Sequence, residues 1–263
     1  MPTTYTHDAF GREVYKKLPT DMRDVIRANR KLYLIGLHGP DIFFYYRLNP
    51  QNKVVQIGHA MHQRIAREFF ERGADVYKKE HSQGLLAYLL GFCCHYMLDS
   101  TCHPYVYEAQ DKFHLSHSEI ETHMDRYYME RDGKDPFTYL PASSICAGTV
   151  IAETIQYMFP QVTPDEINRT LHGMQFYTAV TVCKKDGKRD FLSAVLGSTP
   201  KARELYGRII QKSNNPVCDE TTAELTKLYD QAVVDTPAIL EELYMACTGD
   251  GALSERFDRD YVG

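Results

Sequence analysis

The segment His95-Tyr96-Met97-Leu98-Asp99 is followed four residues later by His103, and then by His117-Ser118-Glu119-Ile120-Glu121. Residues four apart share a helical face, so each histidine and its carboxylate can be aimed at one point. Imidazole and carboxylate are ligand types that suit zinc. His103 lies eight residues after His95, on roughly the same face, and Pro104 discourages the helix from running on. Three ligand-type residues within nine positions, with two more a short loop away, point to a multi-metal hydrolytic site.

A surface ion pair has the same spacing, but the neighbouring residues argue against one. Between Ser82 and Cys102 stand Leu85, Leu86, Tyr88, Leu89, Leu90, Phe92, Cys93, Cys94, Tyr96, Met97 and Leu98. A helix apolar nearly all round is a buried helix. Buried carboxylates and imidazoles are costly unless they are paired or bound to a metal. The alternative is a hydrogen-bonded core network without metal. Cys102, beside His103, could add a thiolate, though a small apolar core residue is the simpler reading.

Three further stretches can feed the cluster. His38-Gly39-Pro40-Asp41 reads as a tight turn. Asp41 then either caps the next helix or acts as a metal ligand and proton-transfer carboxylate. The aromatic run that follows supplies Phe43 and Tyr45, as walls of a substrate pocket or as core. In Gly58-His59-Ala60-Met61-His62 the two histidines share a helical face, and one of them is expected to point at the cluster. His7 taken alone reads as an exposed terminal residue. His172 stands by itself and reads as a core or boundary histidine.

The elements that must hold these residues are helical almost throughout. Helices are predicted over 9–17, 22–34, 52–72, 82–102, 116–130, 143–159, 164–184, 200–210 and 219–247, the last bent at Pro237. Thr163-Pro164-Asp165-Glu166 carries a capping-box start. No run shows sustained strand alternation. Residues 131–142, with Gly133, Pro136 and Pro141, are turn-rich and mark a possible boundary. A single all-α domain over residues 1–263 is the favoured organisation, the second half supplying helices that bury the 82–102 segment.

The chain has 263 residues, 43% hydrophobic and 25% charged, the composition of an ordinary globular protein. A net charge of −5 leaves no strong nucleic-acid footprint. All of the histidines except His172 precede residue 124, which places the chemistry in the N-terminal half. The seven cysteines show no disulfide spacing, as expected in a reducing compartment. The N-terminal residues lack the regions of a signal peptide. The longest apolar run, Leu85 to Met97, is too short for a transmembrane segment. A soluble, cytoplasmic protein is expected.

His95-Tyr96-x-x-Asp99, His103-Pro104 and His117-x-x-x-Glu121, with Gly39-Pro40-Asp41 and the histidine after Gly58 upstream, resemble the zinc-dependent phospholipase C family. That family includes the fungal single-strand-specific nucleases. The resemblance covers most of residues 1 to 130. It implies an all-α, multi-helix bundle around a buried cluster of two or three zinc ions. One ion would be held by Asp41, His62 or His59, His95 and Asp99, and a second by His103, His117 and Glu121. Asp99 would bridge to a third, held also by His7. Two features depart from the family pattern. The Asp99–His103 gap is shorter, so the turn into His103 should differ. The third site of the family uses an N-terminal Trp, and this chain contains no Trp.

The expected function is a zinc-dependent phosphoesterase, in which the metals acidify a shared water that attacks phosphorus. Neither a Ser or Cys nucleophile motif nor a phosphate-cradling Gly loop is present to offer another route. The partner would be a small phosphodiester or phosphomonoester, or, as the resemblance implies, a phospholipid headgroup. The alternative is a metal-stabilised helical binding or regulatory module without turnover.

Overall fold

Ser82 opens the longest apolar stretch by accepting a hydrogen bond from the Leu85 amide at 3.2 Å, an N-cap that fixes where the central helix begins. In the computed structural model this helix, α6, spans Gln83–Phe113. The structure describes residues 4–47, 51–197, 203–213 and 215–263. Among these the architecture is all-α, with no strand. Before α6 come α1 (Thr4–Lys17), α2 (Thr20–Ala28), α3 (Arg30–Gly36), a 3-10 helix (Gly39–Tyr45), α4 (Lys53–His62) and α5 (Ala66–Glu80). After it come α7 (His117–Arg131), α8 (Thr149–Gln156), α9 (Pro164–Thr181), α10 (Asp186–Gly197), α11 (Arg203–Gly207) and α12 (Pro216–Thr248).

Helix α6 packs against α1, α2, α3, α5, α7, α8, α12 and the 3-10 helix. Its most apolar window is long and hydrophobic enough to cross a membrane, which the shorter run 85–97 is not. That window is 94% buried inside the protein, the pattern of a core helix. The approach of α3 is close because two glycines face each other. A Cβ on Gly36 would lie 2.3 Å from the Tyr88 carbonyl oxygen, and one on Gly91 would lie 2.2 Å from that of Tyr33. Backbone meets backbone there, and only glycine leaves the room.

Several boundaries differ from the sequence expectation: the expected helix 22–34 is two helices, α2 and α3, parted at Asn29, whose φ of −121° is not helical, and α10 lies where no helix was expected. Helix α1 starts five residues before residue 9, because the Asp125 carboxylate of α7 caps its first turn. Asp125 accepts from the Tyr5 amide at 3.1 Å, the Thr6 amide at 2.7 Å and the Thr6 hydroxyl at 2.7 Å. Helix α6 runs through Pro104 to Phe113, so there is no turn into His103. An interior proline costs about 3 kcal/mol, and continuing the helix offsets this by burying Val106 and Ala109. The expected helix 52–72 is two helices. One of the bonds that would join them, from the Ala66 amide to the His62 carbonyl, is replaced: Ala66 donates to the Arg259 carbonyl at 3.0 Å, and the His62 carbonyl accepts from the Tyr261 amide at 3.3 Å. The expected helix 143–159 shortens to α8, preceded by a 3-10 turn at Pro141–Ser144.

The remaining expectations stand closer to the structure. Helix α9 carries the capping box at Thr163 and Glu166 and ends at Thr181. Helix α12 begins three residues before 219 and continues through Pro237. Pro200, expected to open a helix, lies outside the described residues, and the helix there is α11. His172 is exposed, against its expected core or boundary place, and its Nδ1 faces Gln175 Oε1 at 3.3 Å.

Candidate metal centre

The continuous helix α6 keeps His95, Asp99 and His103 on one face, and all three are buried. Helix α7 presents His117 and Glu121 to the same space, again four apart. Asp41 arrives on the 3-10 helix, whose entry needs Gly39: its φ is +48°, and a Cβ there would sit 2.2 Å from His95 Cδ2. His7 arrives on α1, held by the Asp125 cap. His62 arrives as the last residue of α4.

Asp99 joins these groups. Its Oδ1 lies 3.2 Å from His7 Nε2, while its Oδ2 lies 3.1 Å from His95 Nε2, 3.6 Å from His62 Nε2 and 3.9 Å from His103 Nδ1. Asp41 lies 3.1 Å from His62 Nε2 through Oδ1 and 3.7 Å from His95 Nδ1 through Oδ2. Glu121 Oε1 faces His117 Nε2 at 2.9 Å and His103 Nε2 at 3.6 Å. Two sets result, His7–Asp41–His95–Asp99 and His103–His117–Glu121, each with ligand-type atoms within 4.8 Å of one another. His62 adds its Nε2 beside the first set.

The donor set fits a cation. Both Asp41 oxygens, both His95 nitrogens, Asp99 Oδ2, His103 Nε2 and Glu121 Oε2 are buried without a well-aligned hydrogen bond among the described residues. Buried polar atoms rarely remain so, and an ion at the centre of each set would satisfy them. The outer partners agree. His62 Nδ1 faces the Gly58 carbonyl at 2.8 Å, His103 Nδ1 faces the Tyr261 carbonyl at 2.8 Å, and His117 Nδ1 faces Gln110 Oε1 at 3.1 Å. An oxygen at Nδ1 selects the Nδ1–H tautomer and leaves Nε2 as a lone-pair donor, as a zinc-binding histidine requires.

The electrostatics point the same way. Burial lowers the proton affinity of His62, but hydrogen bonds and charge from Asp41 and Asp99 outweigh it and push its pKa up to about 10. Burial raises Asp99, and the neighbouring His103 and His95 hold it well below the usual carboxylate range. Glu121 is likewise raised by burial and lowered further by His117 and His103. His95 goes down, burial being the largest cause. The cluster therefore attracts positive charge, as protons or as metal. Asp125, outside the cluster, is pushed up to about 6 by burial, against the hydrogen bonds from Thr6 and Tyr5.

Several sequence expectations change. His59 is exposed and rests on the Phe44 ring with centroids 4.7 Å apart, so of the two candidates on α4 it is His62 that faces the cluster. One turn of helix separates them: His62, at the end of α4, reaches Asp41 and Asp99, while His59 stays on the Phe44 ring. Phe43 is fully buried against Phe159, 4.7 Å between centroids, and is core rather than pocket wall. Tyr45 lines a surface cleft together with Glu121, Asp125, Phe137 and Tyr177. Asp41 lies inside the 3-10 helix and makes no cap hydrogen bond. His7 is buried rather than exposed. His38 belongs to neither set: its Nε2 faces Asp8 Oδ1 at 3.3 Å, and Asp8 Oδ2 accepts from the Ser144 hydroxyl at 2.6 Å.

Sequence reasoning missed the supporting residues. Asp125 continues the spacing of His117 and Glu121 by four more residues. Tyr107 continues that of His103, its ring 5.9 Å from His103 and 5.6 Å from His117. That extended period was a usable signal. Nothing in the sequence pointed to Gln110 or Tyr261, whose roles arise from packing.

A family model described as zinc-dependent phospholipase C matches residues 6–167, more than half of the chain. No curated protein and no solved structure matches it.

Proposed function

From the premise that this chain belongs to the zinc-dependent phospholipase C family, we propose that it hydrolyses a phosphodiester or phosphomonoester, with His7, Asp41, His62, His95, Asp99, His103, His117 and Glu121 as metal ligands. The supporting observation is the pair of buried donor sets joined through Asp99, with their inward atoms unsatisfied. In this reading residues 1–263 work as one domain that holds two or three zinc ions.

Zinc, when bound, supplies Lewis acidity that acidifies water near neutral pH and screens charge on a phosphoryl group. The chain's own residues do the rest. His62, His103 and His117 present Nε2 because their Nδ1 protons are engaged elsewhere. Asp99 spans both sides of the first set and keeps the two groups in register. Asp41, with both oxygens inside the cluster, accepts a proton from the attacking water and can return it to the leaving oxygen. The cleft beside Glu121, walled by Tyr45, Phe137 and Tyr177, receives the substituent of the phosphoester. A phospholipid headgroup is the substrate class that the family favours.

The test is hydrolysis of a phosphoester panel by protein loaded with a measured amount of zinc. Turnover that a chelator abolishes and zinc restores is the expected result. A fully loaded protein that turns over no phosphoester would overturn the enzymatic reading and leave a metal-stabilised binding module.

A further inference from the structure

Between α4 and α5 one local helical hydrogen bond is exchanged for two bonds to a distant segment of the chain. The Ala66 amide and the His62 carbonyl stand four residues apart, the spacing of an ordinary helical bond. They bond instead to the Arg259 carbonyl and the Tyr261 amide. The C-terminal backbone segment thus replaces one of the links that a continuous helix would make here. The same Tyr261 uses its other backbone group on the second ligand set, its carbonyl receiving His103 Nδ1 at 2.8 Å. Its ring lies 5.7 Å from the His62 ring and 6.1 Å from that of His95.

The C-terminal segment is firmly tied. The Arg67 guanidinium bonds the carbonyls of Leu253 at 3.1 Å and Ser254 at 2.9 Å, and pairs with Asp258. Phe257 is fully buried against Phe70, 5.2 Å between centroids. Segment 254–263 lies well beyond residues 6–167, the part of the chain that the family match covers.

We propose that Tyr261 is a positioning residue of the metal centre, its amide orienting His62 and its carbonyl fixing His103 as the Nδ1–H tautomer, so that one residue outside the family segment serves both ligand sets. The inference rests on the metal reading above. Its physical basis is that an oxygen behind a ligating imidazole sets ring orientation and basicity, and that losing such a partner weakens metal binding roughly 10–100-fold.

Two measurements test it on the full-length chain. Nitrogen-15 NMR of the histidines in zinc-loaded protein should show His103 protonated at Nδ1 and metallated at Nε2. Metallation of His103 at Nδ1 overturns the proposal whatever the variants do. Zinc affinity by chelator competition should then separate three substitutions. Tyr261→Phe, which removes only a hydroxyl, should stay within about twofold of the parent. Tyr261→Leu, which keeps the amide and loses the ring, should weaken binding modestly. Tyr261→Pro, which also removes the amide donated to the His62 main-chain carbonyl and so loosens the end of α4, should bind zinc several-fold more weakly than Tyr261→Leu. Equal affinity of Tyr261→Pro and Tyr261→Leu overturns the role of the amide. If Tyr261→Pro loses its helix content, the NMR result on the parent decides. A parent chain that takes up no zinc fails in the first titration, and that outcome sinks the metal reading together with this one.

Discussion

Asp41 and Asp99 differ in what surrounds them, and their substitutions should separate accordingly. Asp99 touches four imidazoles, so it acts mainly as the hub of a buried charge network. Asp99→Ala leaves those imidazoles without a counter-charge and should lower unfolding stability by about 3–5 kcal/mol, together with loss of zinc. Denaturant unfolding with parallel metal analysis checks this; full zinc content in a folded Asp99→Ala protein would show the hub to be misassigned. Asp41→Asn preserves volume and should retain helix content while turnover drops by about 10²–10⁴-fold, the range of a lost acid–base group. Near-normal turnover would demote Asp41 to a structural carboxylate. On α4, His62→Ala should weaken zinc binding and His59→Ala should not, because only the first faces the cluster. A chelator titration that ranks them the other way contradicts the placement of α4.

Among the elements, α6 matters most, because it carries three of the ligands and packs against seven other α-helices, α1, α2, α3, α5, α7, α8 and α12, and the 3-10 helix. Its ligand register depends on an uninterrupted turn through Pro104 and on the close approach of α3. Gly91→Ala would push a methyl into the Tyr33 carbonyl, 2.2 Å away. The helices must then separate, at a cost of about 1–3 kcal/mol. Since α3 leads directly into the turn that holds Asp41, the same change should also weaken zinc binding. A Gly91→Ala protein with parental melting temperature and parental zinc affinity would mean that the α3–α6 contact does not set the position of Asp41. The capped start of α1 is a second case, in which Asp125 on one helix determines where another begins and thereby brings His7 into the cluster.

For the whole molecule, the excess of buried carboxylates over fixed cations couples metal, protons and stability. In metal-free protein the His62 proton is held by Asp41 and Asp99, with a pKa of about 10 against an ordinary 6.5. A folded value above the unfolded one contributes stability that is fully present below about pH 6.5 and is lost as pH rises through about 10. Metal-free protein should therefore lose stability across that window. Zinc takes the place of the proton, so loaded protein should show a flatter profile. Zinc binding at pH 7 should release protons, and its affinity should rise with pH. Thermal unfolding at several pH values, with and without zinc, reads the first effect, and calorimetry in buffers of different ionisation enthalpy reads the second. A zinc-binding reaction with no proton release would rule out His62 as a protonated group that the metal displaces.

The sequence by itself determined the helical class, the buried central helix and the four-apart pairs His95–Asp99 and His117–Glu121. Those follow from local rules: a fourfold spacing puts His95, Asp99 and His103 on one face wherever the helix sits, and an all-apolar surround means burial. The capping box at Thr163 and Glu166 was legible for the same reason, since both partners lie within one turn. Tertiary structure decided the rest. Whether α6 stops at Pro104 depends on what burying Val106 returns, and His62 rather than His59 turns inward because Asp41 and Asp99 meet it. The start of α1 depends on a carboxylate from α7, and Phe43 is core because Phe159 meets it. Each of these is set by a contact between residues far apart in the chain. Spacing can say which residues share a face, but only packing says what that face meets.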